Sequence, residues 1–188
     1  MRTLRWTLPA MLVLGLVGCG YNTIQTYDEQ VNAAGSQIKV QLQRRADLIP
    51  NLVETVKGYA RHEESIFTEV ANARARLAGA VQGGTLREMA DANAALTAPL
   101  GRLLAIAEAY PQLKANENFR ALQDQLEGTE NRIAVARQDY NEAVNRYNAY
   151  IRRFPQVLTA KIIGKKAREY FELTTPGADT VPRVKFTR

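Results

Sequence analysis

The chain has 188 residues, 46% hydrophobic and 23% charged, with a formal net charge of +6 and single Cys, His and Trp residues. That is one ordinary domain's worth of chain, and its hydrophobic content excludes wholesale disorder. One Cys leaves no intramolecular disulfide framework or cysteine metal cluster, and one His leaves no histidine-rich chemistry.

Arg2 and Arg5 precede an uncharged, largely apolar stretch from Trp6 to Val17 that ends in small residues and Cys19. A positive start, a short apolar run and a small-residue exit make residues 1–18 a signal peptide. About a dozen apolar residues fall short of the roughly 20 that span a bilayer as a helix, so a tether is expected rather than a membrane crossing. The plainer alternative is an uncleaved apolar anchor that happens to end in Cys19. Leu16-Val17-Gly18-Cys19 resembles the bacterial lipobox. That resemblance implies lipid transfer to the Cys19 thiol, cleavage before Cys19 and acylation of the new amino group. Each buried methylene contributes about 0.8 kcal/mol, so more than one acyl chain makes a stable attachment. Gly20, not Asp, follows Cys19, and the resemblance to Gram-negative lipoproteins then implies the outer membrane, with the chain facing the periplasm. Residues 19–26 are expected to be the lipidated anchor and a short linker.

From there to residue 173 apolar residues recur at helical spacing, and no run combines period-two alternation with β-branched and aromatic enrichment. The expectation is an all-α domain, an elongated antiparallel up-and-down bundle of about four helices. Val31, Ile38, Leu42 and Ile49 form a first stripe; Leu52, Val53, Val56, Ile66, Val70 and Leu77 continue it past Pro50. Proline removes an amide donor and crowds the preceding turn, which predicts a kink or short break there. Gly83-Gly84 signals a turn, and a helix carrying Leu86, Met89, Leu96, Leu100, Leu103 and Ile106 follows, interrupted or bent at Pro99. The clearest segment runs from about Ala115 to Phe154, with Pro155 as its stop. Its narrow stripe is also compatible with a coiled-coil seam to a second copy of the chain. A short last helix is expected over about 157–173, and residues 174–188, with Pro176, Gly177 and Pro182, read as an irregular tail.

Removal of residues 1–18 leaves 23 basic and 19 acidic residues. Between Gly20 and Leu158 the two signs balance, 16 against 16, whereas Thr159 to Arg188 carries seven basic and three acidic residues. A basic tail on a tethered protein can touch anionic headgroups, at about 1 kcal/mol per basic residue; a solvated terminus is the plainer alternative. No nucleic-acid role is expected of an exported chain with so modest an excess.

Chemistry is mostly absent. His62-Glu63 lacks the second His of a zinc-protease helix, because position 66 is Ile. No catalytic set, no metal site and no cofactor-binding pattern is present. Two polar constellations stand out. Arg44, Arg45, Asp47 and Asn51 surround Pro50, where broken backbone hydrogen bonds need partners. Glu130, Arg137, Tyr140-Asn141 and Tyr147-Asn148 lie on the long helix, with the Tyr-Asn pair repeated seven residues on, so that both tyrosines share a face. A buried polar ladder that fixes helix register is one reading, since buried tyrosine hydroxyls require partners. The other is a ligand or peptide groove lined by Arg45, Asn51, Tyr140 and Asn141.

The stretches LQRRADLIPNLVETVKGYARHE (Leu42 to Glu63) and EAYPQLKANENFRALQDQLEGTENRIAVARQDYNEAVNRYNAYIRRFP (Glu108 to Pro155) resemble the LemA family of bacterial envelope proteins over nearly all of residues 21–173. The resemblance implies a helical bundle on an N-terminal membrane anchor and no enzymatic activity. Two features depart from it: many members keep an uncleaved anchor where this chain has a lipobox, and many have Trp near the position of Gly35. A mid-helix glycine costs about 1 kcal/mol relative to alanine and leaves room for a neighbour. The leading expectation is a non-enzymatic envelope lipoprotein that presents a surface to an unidentified envelope protein. The alternative is a ligand- or peptide-binding sensor.

Overall fold

The computed structural model describes residues 20–171. Cys19, the leader and the tail over 174–188 lie outside the described residues. Six helices and no strand occur among the described residues: α1 (Tyr21–Lys57), α2 (Glu64–Gly83), α3 (Leu86–Ala109), α4 (Pro111–Lys114), α5 (Glu117–Ile151) and α6 (Gln156–Ile162). The described residues divide into two compact units, residues 20–40 with 132–170, and residues 41–131 with Phe171.

Two helix boundaries differ from those read in the sequence, and neither Pro50 nor Pro99 breaks its helix. Helix α1 begins at Tyr21, so the expected linker residues 21–26 are its first turns, closed by the Ile24 amide donating to the Gly20 carbonyl at 2.9 Å. It also runs through Pro50 without interruption, for a reason given below, and α3 likewise runs through Pro99. The last helix stops at Ile162 instead of near residue 173. Gly164 takes φ +68, the left-handed backbone that glycine adopts without a Cβ penalty. The Gly164 amide donates to the Lys161 carbonyl (3.2 Å) and the Lys165 amide to the Ala160 carbonyl (2.9 Å), the paired bonds of a Schellman stop.

In the Gln41–Asn131 unit, α2 and α3 pack together as a helical hairpin joined by Gly84 and Thr85. Gly84 is required by close approach, because a Cβ there would lie 2.7 Å from the Ala80 carbonyl oxygen. Thr85 then starts α3 with a capping box: the Glu88 amide donates to Thr85 Oγ1 (3.2 Å) and the Thr85 amide to Glu88 Oε2 (2.6 Å). The stripes over residues 42–56, 67–77 and 89–106 bury Leu42, Leu52, Leu77, Met89, Leu96 and Leu103 completely. Leu113 of α4 and Phe119 and Leu126 of α5 are also buried. Asn116 caps α5, its Oδ1 accepting from the Phe119 amide at 3.0 Å.

In the other unit the core is Ile24, Val31 and Ile38 of α1 with Ile133, Val144, Tyr147 and Ile151 of α5. Gly35 sits buried in mid-helix among these α1 positions. The Tyr27 and Tyr150 rings meet edge-on at 5.2 Å. The α5 stripe therefore has its apolar residues buried within the chain itself. Phe154, expected to end that stripe, is instead 77% exposed, because α5 stops at Ile151 and the chain turns before Pro155.

Candidate functional site

The polar residues around Pro50 act through a partner that their own segment does not supply. Proline at position 50 has no amide to offer the carbonyl of residue 46, four positions earlier. Arg74 of α2 takes that place, donating Nε–H to the Ala46 carbonyl at 3.1 Å. Asp47 stands 4.0 Å from Arg74 Nη2 and accepts from Gln43 Nε2 at 2.7 Å. The orphaned carbonyl is thus satisfied, and α1 continues instead of breaking. Arg44 and Asn51 are exposed and lie outside this contact. Arg74→Ala should cost about 1–2 kcal/mol by leaving that carbonyl unpaired, and Pro50→Ala in the same chain should recover most of it. Urea unfolding of the two single variants and the double variant measures the coupling.

Arg45 forms the second centre. It is 5% exposed; Nη1 donates to Asn93 Oδ1 at 2.7 Å and is ion-paired with Glu130. Burial pulls its pKa down, and the charge and hydrogen bond of Glu130 oppose that pull. Asn93, at 5% exposure, was not singled out in the sequence. Its signal was there, since an amide occupies a core position of the α3 stripe between Met89 and Leu96. Glu130 belongs here and not with the Tyr-Asn repeat three turns further on.

The Tyr-Asn repeat serves a third centre, in which α5 holds the segment that follows α6. Tyr147 donates its hydroxyl to the Lys166 carbonyl (3.2 Å) and Tyr140 to the Glu169 carbonyl (3.1 Å). Asn148 grips Arg168 from both sides of its backbone: Nδ2 donates to the Arg168 carbonyl (2.9 Å), and the Arg168 amide donates to Oδ1 (2.8 Å). Seven residues of helix rise about 10.5 Å, and three residues of chain reach at most about 10–11 Å. The segment must therefore be drawn out nearly straight, running opposite to α5, for its carbonyls at 166 and 169 to meet hydroxyls at 147 and 140. We term residues 165–170 the strap.

Asp28 of α1 fixes the other side of the strap. Its carboxylate, 6% exposed, accepts from Lys165 Nζ (2.5 Å) and from Arg168 Nη2 (2.8 Å) and Nε (3.1 Å). Asn32, one turn on, accepts from Arg168 Nη2 at 3.0 Å. Desolvation raises the Asp28 pKa, but the bonds and charges of Lys165 and Arg168 outweigh it and hold the carboxyl below the ordinary value. The hydrogen bond to Asp28 raises the Arg168 pKa. Burial pushes the Tyr140 and Tyr147 phenols up, so both stay protonated donors. Arg137 and Asn141, both half-buried, line a shallow surface groove with Gln138, Glu142, Asn145 and strap residue Tyr170.

The structure therefore spreads the predicted residues over three internal contacts. Arg45 and Tyr140, named for a ligand groove, give their polar groups to Asn93 and Glu130 in one case and to a strap carbonyl in the other. Chemically these sites clamp backbone and neutralise buried charge. No cluster of three metal-ligating side chains occurs among the described residues, and His62 is exposed in the turn between α1 and α2.

Comparison with known proteins adds the family. Two relatives from Paramagnetospirillum magneticum, magnetosome protein MamQ 1 and magnetosome protein MamQ 2, are each 31% identical over 183 residues, covering 85% of this chain and 67% of the relative. Magnetosome protein MamQ of Magnetospirillum gryphiswaldense is 30% identical over the same length and coverage. The LemA family model matches residues 34–186, a span that takes in Pro50, Arg45, the Tyr-Asn repeat and the strap, and the chain belongs to the LemA family.

Proposed function

We propose that this protein is a membrane-anchored envelope lipoprotein, tethered through acylated Cys19, with a non-enzymatic scaffold or partner-binding role. The observation that carries the non-enzymatic reading is the use made of its polar side chains. Asp28, Tyr140, Tyr147 and Asn148 bond the chain's own groups and Arg45 gives Nη1 to Asn93 and Glu130; the Asp28 pKa is lowered by that pairing, whereas those of Arg45 and the two tyrosines are shifted by burial. Family membership supports an envelope setting. The MamQ relatives, named for the magnetosome, support a place within an assembled cell structure.

Two of the seven basic residues after Leu158, Lys165 and Arg168, face Asp28. Headgroup attraction by this end of the chain therefore falls to Lys161, Lys166, Arg183, Lys185 and Arg188. The anchor is tested by metabolic palmitate labelling. The wild-type chain should take up label and lose residues 1–18 by intact mass, whereas Cys19→Ala should do neither. Equal labelling of the two chains would overturn the lipoprotein assignment.

A further inference from the structure

One apolar stripe is left out of the core. Phe154 is 77% exposed, Leu158 48% and Ile162 67%, each four residues after the last. Leu158 and Ile162 share one face of α6 by this spacing, while Thr159 and Ala160 are buried on the other. Large apolar side chains gathered on one surface mark a site of interaction.

The surroundings identify the partner. Between Glu142 and Glu169 there is no acidic residue, whereas Arg146, Arg152, Arg153, Lys161, Lys165, Lys166 and Arg168 are basic. Arg146 is paired with Glu142, and Lys165 and Arg168 with Asp28; Arg152, Arg153, Lys161 and Lys166 are exposed around the stripe. The place where the leader joins the described chain is close by. A Cβ on Gly20 would lie 2.9 Å from Gln156 Cγ and 3.1 Å from the Tyr150 hydroxyl, so the start of α1 rests against the start of α6. Tyr21, 45% exposed, adds an amphipathic ring of the type enriched at membrane interfaces. An exposed apolar face with cationic flanks, at the point where the N-terminal tether enters, fits an anionic bilayer surface.

We infer that Phe154, Leu158 and Ile162 dip into the interfacial layer of an anionic membrane as a second contact beside the N-terminal tether. The inference rests on the proposed membrane anchoring but not on its lipid chemistry. A helix of this size immersed on one face adds a shallow, reversible attachment, and it fixes the orientation of its own unit where a tether alone leaves rotation free.

The full chain is reconstituted in nanodiscs of phosphatidylethanolamine and phosphatidylglycerol, with an environment-sensitive dye on Leu158→Cys, Ile162→Cys or, as control, Val135→Cys, which is 58% exposed on α5. The unsubstituted chain serves as the blank for any labelling at Cys19. Dyes at 158 and 162 should emit to the blue and be quenched at least threefold more by doxyl-labelled lipid than the dye at 135. Arg152→Glu with Arg153→Glu and Lys161→Glu should abolish that difference. Accessibility of 158 and 162 to aqueous iodide equal to that of 135 would overturn the inference. So would protection from both iodide and lipid quencher, the signature of a protein covering the stripe. If Cys19→Ala still anchors and the dyes remain lipid-quenched, the lipoprotein assignment fails and this inference stands.

Discussion

Asp28→Ala should destabilise the protein by about 2–3 kcal/mol and free the strap amides to exchange with solvent. Removing one partner of a buried ion pair costs about 3–5 kcal/mol when the other charge is left stranded. Here the stranded groups are Lys165 and Arg168, whose side chains are 27% and 41% exposed, so rehydration recovers part of that cost. Asp28→Asn keeps the acceptor geometry and isolates the loss of charge. The same carboxylate sets an acid limit. Its folded pKa is held below the ordinary value by Lys165 and Arg168, so the stability it contributes is fully present above the unfolded pKa of about 3.9 and is lost as pH falls through the folded value. Hydrogen exchange read at descending pH should show the strap intact at about pH 5 and opening below about pH 4. The acid limb should flatten in Asp28→Asn. An unchanged limb in that variant would show that Asp28 does not secure the strap.

Glu130→Ala should be more damaging than Arg45→Met, although Glu130 is the more exposed partner. Side-chain exposures are 50% for Glu130 and 6% for Arg45. Deleting the glutamate strands a guanidinium in the interior with only Asn93 to accept from it, a loss of about 3 kcal/mol. Replacing Arg45 by an unbranched apolar chain releases Glu130 to water and leaves the buried Asn93 amide as the main unpaired group, about 1–2 kcal/mol. Urea unfolding of both variants checks the order. A larger loss in Arg45→Met would mean that packing of the arginine stem, not its charge, dominates the site.

The helical class was legible because spacing by threes and fours is set by the helix itself and needs no knowledge of neighbours. The polar ladder at Tyr140, Tyr147 and Asn148 was legible for the same reason: residues seven and eight apart share a face. What they bind was not, since Lys166 and Glu169 are remote along the chain and reach α5 only after Gly164 ends α6. Of the kink or short break expected at Pro50, the break does not occur, for a related reason. A proline's local effect is to cut a hydrogen bond, and nothing in its own segment reveals that Arg74, more than twenty residues later, restores the missing donor. Asp28 went unnoticed despite a clear signal, because it occupies an apolar stripe position four residues after Ile24 and three before Val31. A carboxylate at such a place needs a cation, and the two nearest lie in the strap.

On its α5 side the strap is recognised through its main chain, whereas α1 holds it through the Lys165 and Arg168 side chains. Tyr140, Tyr147 and Asn148 touch three of its carbonyls and one of its amides, leaving its exposed side chains at Ala167 and Glu169 outside the grip. Sequence at those two positions can be rewritten without loosening the hold, whereas Arg168 is held both by its amide and by its side chain. The protein therefore carries two changeable positions, 167 and 169, on a segment whose course along α5 stays fixed. Those two positions can each carry a single-residue reporter without changing the length of the segment.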